Sequence, residues 1–533
     1  MKRIGIVVGL ALCAQQISAQ TPEDAIRMSW NTPTGTARNQ AIGGAMGSLG
    51  GEITSLFVNP AGLGLYKRGE FVITPGLSLT NGSGYFRGTN ASAASKTAFN
   101  LGTSGVVLSW SENGSKWRNK SFAIGLNRVA NFNNLQYYKG QNDYSSFSEA
   151  FAEEFAGSGL DIGTSLFDAP LSLGTKLATY AYLIDTVTVN GVTEVVGLPQ
   201  RDAILANQSA LLNQEKTITT TGGITELSFG YAANMDDKIY IGGSLGIPIV
   251  NYNRTSVIKE WDATGASNNN FGYARYTEEY ASKGVGVNAK LGVIFKPADQ
   301  FRVGLSVHSP SWYALREQIT GDIEADLENY FLPGQNIRKA TADSIYTQFG
   351  VGIPEFRYDL IAPWKFLVSA SYVLHEVEDV TQQKGFITAD IEYVTHGSSR
   401  FRSGDQQQNT DYFDGVNETV KEIYRGALNY RVGGELKFNT LMTRLGFSYY
   451  GNPYAEKTYK FGDNNSETVR PRRMNISGGL GYRNRGIFID LTYVHSLNRD
   501  VNFPYRLGDK DNTFAALKES NSNVILTVGF KFR

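Results

Sequence analysis

The sequence predicts an all-β protein, a 14-stranded antiparallel transmembrane β-barrel with a helix-containing extracellular loop. Three observations predict it. Apolar and polar residues alternate with period two over stretches of nine to eleven residues, the length of strand that crosses a bilayer at a tilt. The faces opposite the apolar ones carry charges and glycines, which a dry sandwich core rejects and a wet lumen accepts. The strands number fourteen, an even count that returns both ends of a barrel to the periplasm, and short connections alternate with long polar ones.

The first element is not part of the barrel. "MKRIGIVVGLALCAQQISAQT" has two basic residues, an apolar run from Ile4 to Ala14 and a small residue at Ala19, so 1–19 reads as a secretory signal peptide cleaved after Ala19. Cys13 could suggest a lipoprotein signal, but Leu12 stands where that signal wants a small residue. The mature chain then has no cysteine, and its stability must come from size and topology rather than disulfides. Loss of Lys2 and Arg3 leaves 48 basic against 50 acidic residues, a balance that does not point to nucleic acid. Beyond the signal, no stretch reaches the ~18 consecutive apolar residues of a membrane helix.

Strands are expected near 70–80, 99–111, 119–132, 222–234, 238–250, 273–296, 300–318, 356–375, 385–397, 427–438, 441–452, 472–484, 486–498 and 522–532. In "LNYRVGGELKF", Leu428, Tyr430, Val432, Leu436 and Phe438 share one face, while Asn429, Arg431, Glu435 and Lys437 share the other. "VNAKLGVIF", "FRVGLSVH", "GIFIDLTYVH" and "NVILTVGFKF" repeat the pattern. "NMDDK", "PADQ", "NT" and "RNRG" read as tight periplasmic turns. The connection over 132–221 is far longer than its neighbours. It sets Phe147, Phe151 and Phe155 at helical spacing up to Gly157, and it places Leu173, Leu177, Tyr180 and Tyr182–Ile184 in a looser helical pattern. Two readings stand for these helices: they pack on each other as a cap, or Phe147, Phe151, Phe155, Leu177 and Tyr180 form an apolar landing groove for a ligand.

The segment 20–69 is Gly-rich and Pro-interrupted. "GTARNQAIGGAMGSLGGEITSLFVNPAGLGLYKRGEFVITPGLSL" resembles the amino-terminal hatch of FadL-type outer-membrane transporters of long-chain fatty acids and other hydrophobic compounds, with the match centred on Asn59-Pro60-Ala61. "KIYIGGSLGIP", "FRVGLSVHSP", "APWKFLVSASY" and "YRVGGELKF…MTRLGFSYY" follow in the order of that family's strand signatures. The resemblance implies an N-terminal lumen hatch over 20–69 inside a barrel over 70–533, with Asn59, Pro60, Ala61 and Gly62 as its gate. Pro60 fixes its own φ and biases Asn59 toward an extended conformation, so the tripeptide makes a stiff turn within a flexible flank. A permanent plug anchor with no gating role is the alternative.

The resemblance further implies a monomeric, passive channel in the outer membrane of a Gram-negative bacterium, without cofactor or metal. Its ligand would be a hydrophobic small molecule such as a long-chain fatty acid, captured by extracellular loops and released sideways into outer-membrane lipid. The side exit would lie at the third strand, where Gly125 and Asn127 are the candidates. Strand parity points Lys290, Arg302, Arg431 and Arg444 into the lumen, where they could meet a carboxylate or pair with Glu392, Glu435 and Asp490. The closing "VGFKFR" resembles the strand read by the outer-membrane assembly machinery, although Arg533 follows Phe532. An enzyme is not expected: His308, His375, His396 and His495 make no triad, since adjacent strand residues face opposite sides. The competing reading is a barrel that docks a secretion or surface complex without transporting a solute.

Overall fold

Inward charge and outward leucine set the architecture. In the computed structural model Leu445 is 74% exposed, while its neighbour Arg444 is 2% exposed. The structure describes residues 21–532 apart from 94, 113, 162–169, 268, 329, 332–333, 348–351, 375–383, 405–409, 457–458 and 462–466. The signal-peptide reading, His375 and Arg533 lie outside the described residues.

The wall is a closed barrel of fourteen antiparallel strands. They are β1 (Gly69–Ile73, continuing as Pro75–Phe86), β2 (Lys96–Leu101 and Ser104–Ser111), β3 (Trp117–Asn131 and Asn134–Asn142), β4 (Leu212–Met235) and β5 (Ile239–Asp262). Next come β6 (Tyr273–Ala298), β7 (Phe301–His308 and Trp312–Asp326), β8 (Glu355–Ile361 and Lys365–Leu374) and β9 (Gly385–Val394 and Arg400–Ser403). The last five are β10 (Ala427–Phe438), β11 (Leu441–Tyr450), β12 (Arg472–Asn484), β13 (Ile487–Asn502) and β14 (Ala515–Phe532). Pairing of β14 with β1, from Gly69↔Phe532 to Tyr85↔Ala516, closes the ring. The fourteen-strand expectation therefore holds strand for strand. No described helix is long and apolar enough to cross a membrane.

Three strands far outrun a bilayer. On β5 the outward residues Ile241, Leu245, Ile247 and Ile249 are apolar, and those above them are Asn251, Asn253 and Thr255. On β6 the outward apolar run ends at Val285 and gives way to Lys283 and Glu279. An apolar band of about ten residues is what a bilayer requires. The ladders nonetheless continue upward through Leu212↔Asp262 and Trp261↔Tyr273, because backbone pairing does not depend on apolar faces. The wall thus rises well above the band on the side of the long connections. This shortens the connection expected over 132–221: β3 runs on to Asn142 and β4 begins at Leu212.

That connection builds a domain on the raised rim. Helix α1 (Phe147–Gly157) carries the predicted phenylalanine stripe, and α2 (Leu173–Tyr180) carries Leu173 and Leu177. Ile184, expected in the helical pattern, instead opens a hairpin of Ile184–Val189 with Val192–Gly197. Asn190 and Gly191 both adopt positive φ between alternating β-branched residues, the two-residue turn that favours a hairpin over a helix. Glu260 on β5 anchors the domain. It accepts from the Phe147 backbone N–H at 2.7 Å, from Ser146 Oγ at 2.5 Å and from Gln214 Nε2 at 2.6 Å.

The segment before β1 runs down the lumen. Its first helix, α3 (Pro22–Ser29), lies at the raised end, where Glu23 meets Arg506 at 3.1 Å. Its last turn, Pro60–Leu65, packs beside Ala233 and Tyr240 at the opposite end. The fit needs glycine on the wall: a Cβ on Gly292 would stand 1.8 Å from Asn59 Oδ1, and one on Gly446 would stand 2.1 Å from the Gly43 nitrogen. Above it sits α4 (Thr410–Ile423), whose Phe413, Val416 and Val420 pack in one apolar cluster with Ala25, Ile26 and Met28 of α3.

Candidate functional site

Among the described residues the wall has one weak seam at the level of the apolar band. Strand β3 pairs with β2 only from Ser111↔Asn119 up to Ser104↔Leu126. Above Leu126, among the described residues, no ladder joins the two strands; the upper part of β2 pairs only with β1, and β3 only with β4. The register with β4 slips between Ile224 and Thr225, leaving Val129 as an extra residue, and β3 breaks at 132–133. Gly222 takes φ +99° opposite that break, a conformation that favours glycine. The Arg128 guanidinium spans the irregularity, donating to the Gly222 carbonyl at 2.5 Å and to Thr225 Oγ1 at 3.3 Å.

The lips of this gap are apolar on the outside. Phe99 and Leu101 of β2 and Leu126 of β3 are exposed there. On the inside the lumen segment fills the missing pairings. Thr34 donates its backbone N–H to the Arg128 carbonyl at 3.1 Å and its hydroxyl to the same oxygen at 2.7 Å. Asn127 Nδ2 donates back to the Thr34 carbonyl at 3.2 Å, and Thr103 Oγ1 donates to Asn127 Oδ1 at 3.0 Å. Thr34 therefore acts as a one-residue strand in the gap. Higher up, Lys96 Nζ reaches across to the Thr220 carbonyl at 2.7 Å.

Behind the gap lies a lumen cavity of about 110 Å³. Met28 and Ser29 of α3 border it, as do Phe57 and Val58 of the lumen segment. Thr34, Asn127 and Val129 line it too, so the cavity ends at the seam. Its wall carries Lys290 paired with Glu226 at 2.5 Å and Arg431 paired with Glu392 at 2.7 Å. Lys365 also lines the cavity, and among the described residues it has no carboxylate within ion-pair distance. His308 Nε2 lies 2.8 Å from the Val58 carbonyl and ties the lumen segment to β7. Above, the Ser29 hydroxyl meets His396 Nδ1 at 2.9 Å.

The residues singled out by sequence fall into three groups. Asn59 is fully buried, and its Nδ2 donates to the Gly47 carbonyl at 2.6 Å while also lying 3.4 Å from Val293 O and 3.3 Å from Leu305 O. Its Oδ1 accepts from the Ala61 N–H at 3.2 Å, so Asn59-Pro60-Ala61 ties the segment both to itself and to β6 and β7; Gly62 donates its N–H to the Asn59 carbonyl. Gly125 sits just below the gap, against Leu56 and Phe57, and Asn127 stands at its edge. Lys290, Arg302, Arg431 and Arg444 all point inward. Arg302 donates to the Leu49 carbonyl at 2.9 Å, and Arg444 bridges Glu435 at 2.6 Å and Asp490 at 2.5 Å.

Of the loop residues, Phe147, Phe155 and Leu177 are buried in a core that the rim domain shares with the upper wall, including Leu212, Ile258 and Ile323. Phe151 stacks edge-on against Tyr276, and Tyr180 is exposed. Sequence reasoning did not single out Thr34, Lys365, α3 or α4. The spacing of Phe413, Val416 and Val420 was a legible helical stripe for α4. Thr34 carried no signal, since its role exists only where a wall strand is missing. Among the described residues no cluster of three His, Cys, Asp or Glu could hold a metal ion.

No family model matches the chain, and no curated protein matches it. Solved structures do. A Pseudomonas aeruginosa FadL homologue matches with TM-score 0.53 and 13% identity, covering 95% of this chain and 100% of that one. The Pseudomonas putida toluene transporter TodX matches with TM-score 0.47 and 13% identity, covering 95% and 99%. The Ralstonia pickettii toluene transporter TbuX matches with TM-score 0.47 and 13% identity, covering 94% and 100%. At this identity the FadL homologue shows a shared fold.

Proposed function

We propose that this chain is a passive outer-membrane channel for hydrophobic compounds of the long-chain fatty acid type, which it releases sideways through the wall. One observation carries the reading: a gap between β2 and β3 with apolar outer lips is sealed from inside by Thr34 and backed by a cavity. An apolar solute gains about 0.8 kcal/mol per methylene on entering lipid, so a sideways exit is downhill where a watery periplasmic exit is uphill. The lumen segment 20–69 acts as the hatch. Withdrawal of Thr34 breaks only a handful of hydrogen bonds and opens the cavity to the wall. Ligand reaches the cavity from the raised rim, past α3 and α4, after meeting exposed apolar residues such as Tyr180. Lys365 is the cation best placed for a carboxylate head, because Lys290, Arg431 and Arg444 are occupied by acidic partners. The barrel works as a monomer and is inserted by the outer-membrane assembly machinery through β14.

The test uses the cysteine-free mature chain. Thr34→Cys and Asn127→Cys together allow a disulfide that pins the hatch to β3. Cells expressing the double variant should lose uptake of labelled oleate under oxidising conditions and regain it with reductant, while each single variant keeps uptake. Undiminished uptake by the verified cross-linked protein overturns release through this gap. Absence of uptake by the inserted parent, across fatty acids and aromatic hydrocarbons, overturns the transport reading and favours a docking barrel.

A further inference from the structure

Two rows of like charge cross the outer face of the barrel just above its apolar band. Lys283 on β6 pairs directly with Arg316 on β7, which pairs directly with Arg357 on β8. On a distant part of the wall, Arg472 on β12 pairs with Arg499 on β13, which pairs with Lys518 on β14. Strand parity turns all six outward, and five of them are exposed, with Arg472 half-buried. Below the first row the outward positions are Val285 on β6, Ala314 and then Trp312 on β7, and Asp359 and then Ile361 on β8; below the second they are Met474 and Ile476 on β12, Leu497 on β13, and Ser520, Ser522 and then Val524 on β14.

Like charges directly opposite on neighbouring strands repel, so four such contacts in two rows are a standing cost. Acidic neighbours do not offset it. Among the described residues the sole ion pair of the six is Arg357 with Glu355 at 3.3 Å, and both of those side chains are exposed. Asp359, the nearby outward carboxylate on β8, faces Arg402 of β9 instead, and Glu279 lies two outward positions above Lys283. Arg400 and Arg402 extend the first patch by two more exposed cations.

We infer that each row binds the phosphate groups of a phosphorylated glycolipid in the outer leaflet. Strands lie about 4.8 Å apart, so three side chains in a row span about 10 Å, and a phosphate seated between neighbours accepts from both. Arginine's planar fork suits that geometry, and long side chains at a band edge reach the headgroup level while their stems stay on apolar surface. The position selects a lipid over a dissolved anion: the rows stand at headgroup height, outside the lumen, on lipid-facing strand positions. This inference rests on the outer-membrane reading above, with the raised rim facing outward.

The test measures the midpoint of heat-induced barrel unfolding for purified protein in nonionic detergent. Bis-phosphorylated lipid A, dephosphorylated lipid A and inorganic phosphate are added in separate arms. Parent protein should gain a few degrees with the phosphorylated lipid and little with the other two. Lys283→Gln/Arg316→Gln/Arg357→Gln and Arg472→Gln/Arg499→Gln/Lys518→Gln should each lose part of that gain. In detergent alone both variants should unfold no earlier than parent, because repulsion has been removed. Equal shifts with phosphorylated and dephosphorylated lipid overturn the inference, and an equal shift with inorganic phosphate assigns the rows to free anion instead. Earlier unfolding of the variants in detergent alone overturns it as well, since the cations would then be structural. Cell fractionation separates the two readings: a parent barrel absent from the outer membrane sinks both, whereas an inserted barrel without the lipid effect sinks only this one.

Discussion

Asn59→Ala tests the anchoring of the lumen segment, and with it the proposed hatch, most directly. The change removes a 2.6 Å bond to the Gly47 carbonyl and a 3.2 Å bond from the Ala61 N–H, both inside a fully buried site. Truncation strands the buried Gly47 carbonyl and Ala61 N–H, each at a cost of about 1–3 kcal/mol. The expected loss is about 3 kcal/mol of anchoring of the lumen segment, or roughly 100-fold in the population of the detached segment at ~1.4 kcal/mol per tenfold. Hydrogen exchange over residues 42–62 should accelerate by that order, while exchange in the β10–β14 ladders stays unchanged. Conductance in a planar bilayer should rise in parallel. Asn59→Asp should do at least as much damage. It keeps an acceptor for Ala61 but turns a carboxylate toward the Gly47, Val293 and Leu305 carbonyls. Unchanged exchange at residues 42–62 in Asn59→Ala would refute the claim that this side chain holds the lumen segment.

Other parts of the structure predict separable outcomes. Gly446→Val places side-chain atoms where the Gly43 backbone now lies, so limited proteolysis should begin to cut within residues 37–62 of a barrel that still resists heat. Arg444→Met leaves Glu435 and Asp490 buried without their shared cation and should lower barrel stability by about 3–5 kcal/mol in urea unfolding. Replacing all three by apolar residues of similar volume should not recover that loss, because Arg38, which donates to Glu435 at 3.3 Å, would be left without its partner. Lys365→Met should weaken binding of a fatty acid, read by competition with a fluorescent analogue, and leave binding of an uncharged aromatic hydrocarbon unchanged. Glu260→Ala should free the rim domain at the start of α1, so protease cleavage within 143–211 rises while the barrel's unfolding midpoint holds.

The strands were legible because their physics is local. Leu428 to Phe438 alternate in sequence as they alternate in space, and Phe147, Phe151 and Phe155 align on one helical face in both. The hairpin at Asn190-Gly191 was equally local and is readable from its turn residues, although the apolar residues before it suggested a helix. Inward cations were readable by parity, but their partners were not all readable. Glu226 opposite Lys290 depends on the stagger between β4 and β6 across β5, which no single strand specifies.

The sequence by itself determined the fold class, the strand count, the facing of residues along unbroken alternating runs such as Leu428–Phe438 and the glycine-rich character of residues 20–69, since period, turn chemistry and glycine content act over a few residues. Tertiary structure alone decided that β2 and β3 part above Leu126, that Thr34 occupies the vacant edge, that Lys365 borders the cavity with no carboxylate in ion-pair distance among the described residues and that six cations fall into two rows. Each of these depends on register, and register is set by how fourteen strands close into a ring rather than by any one of them.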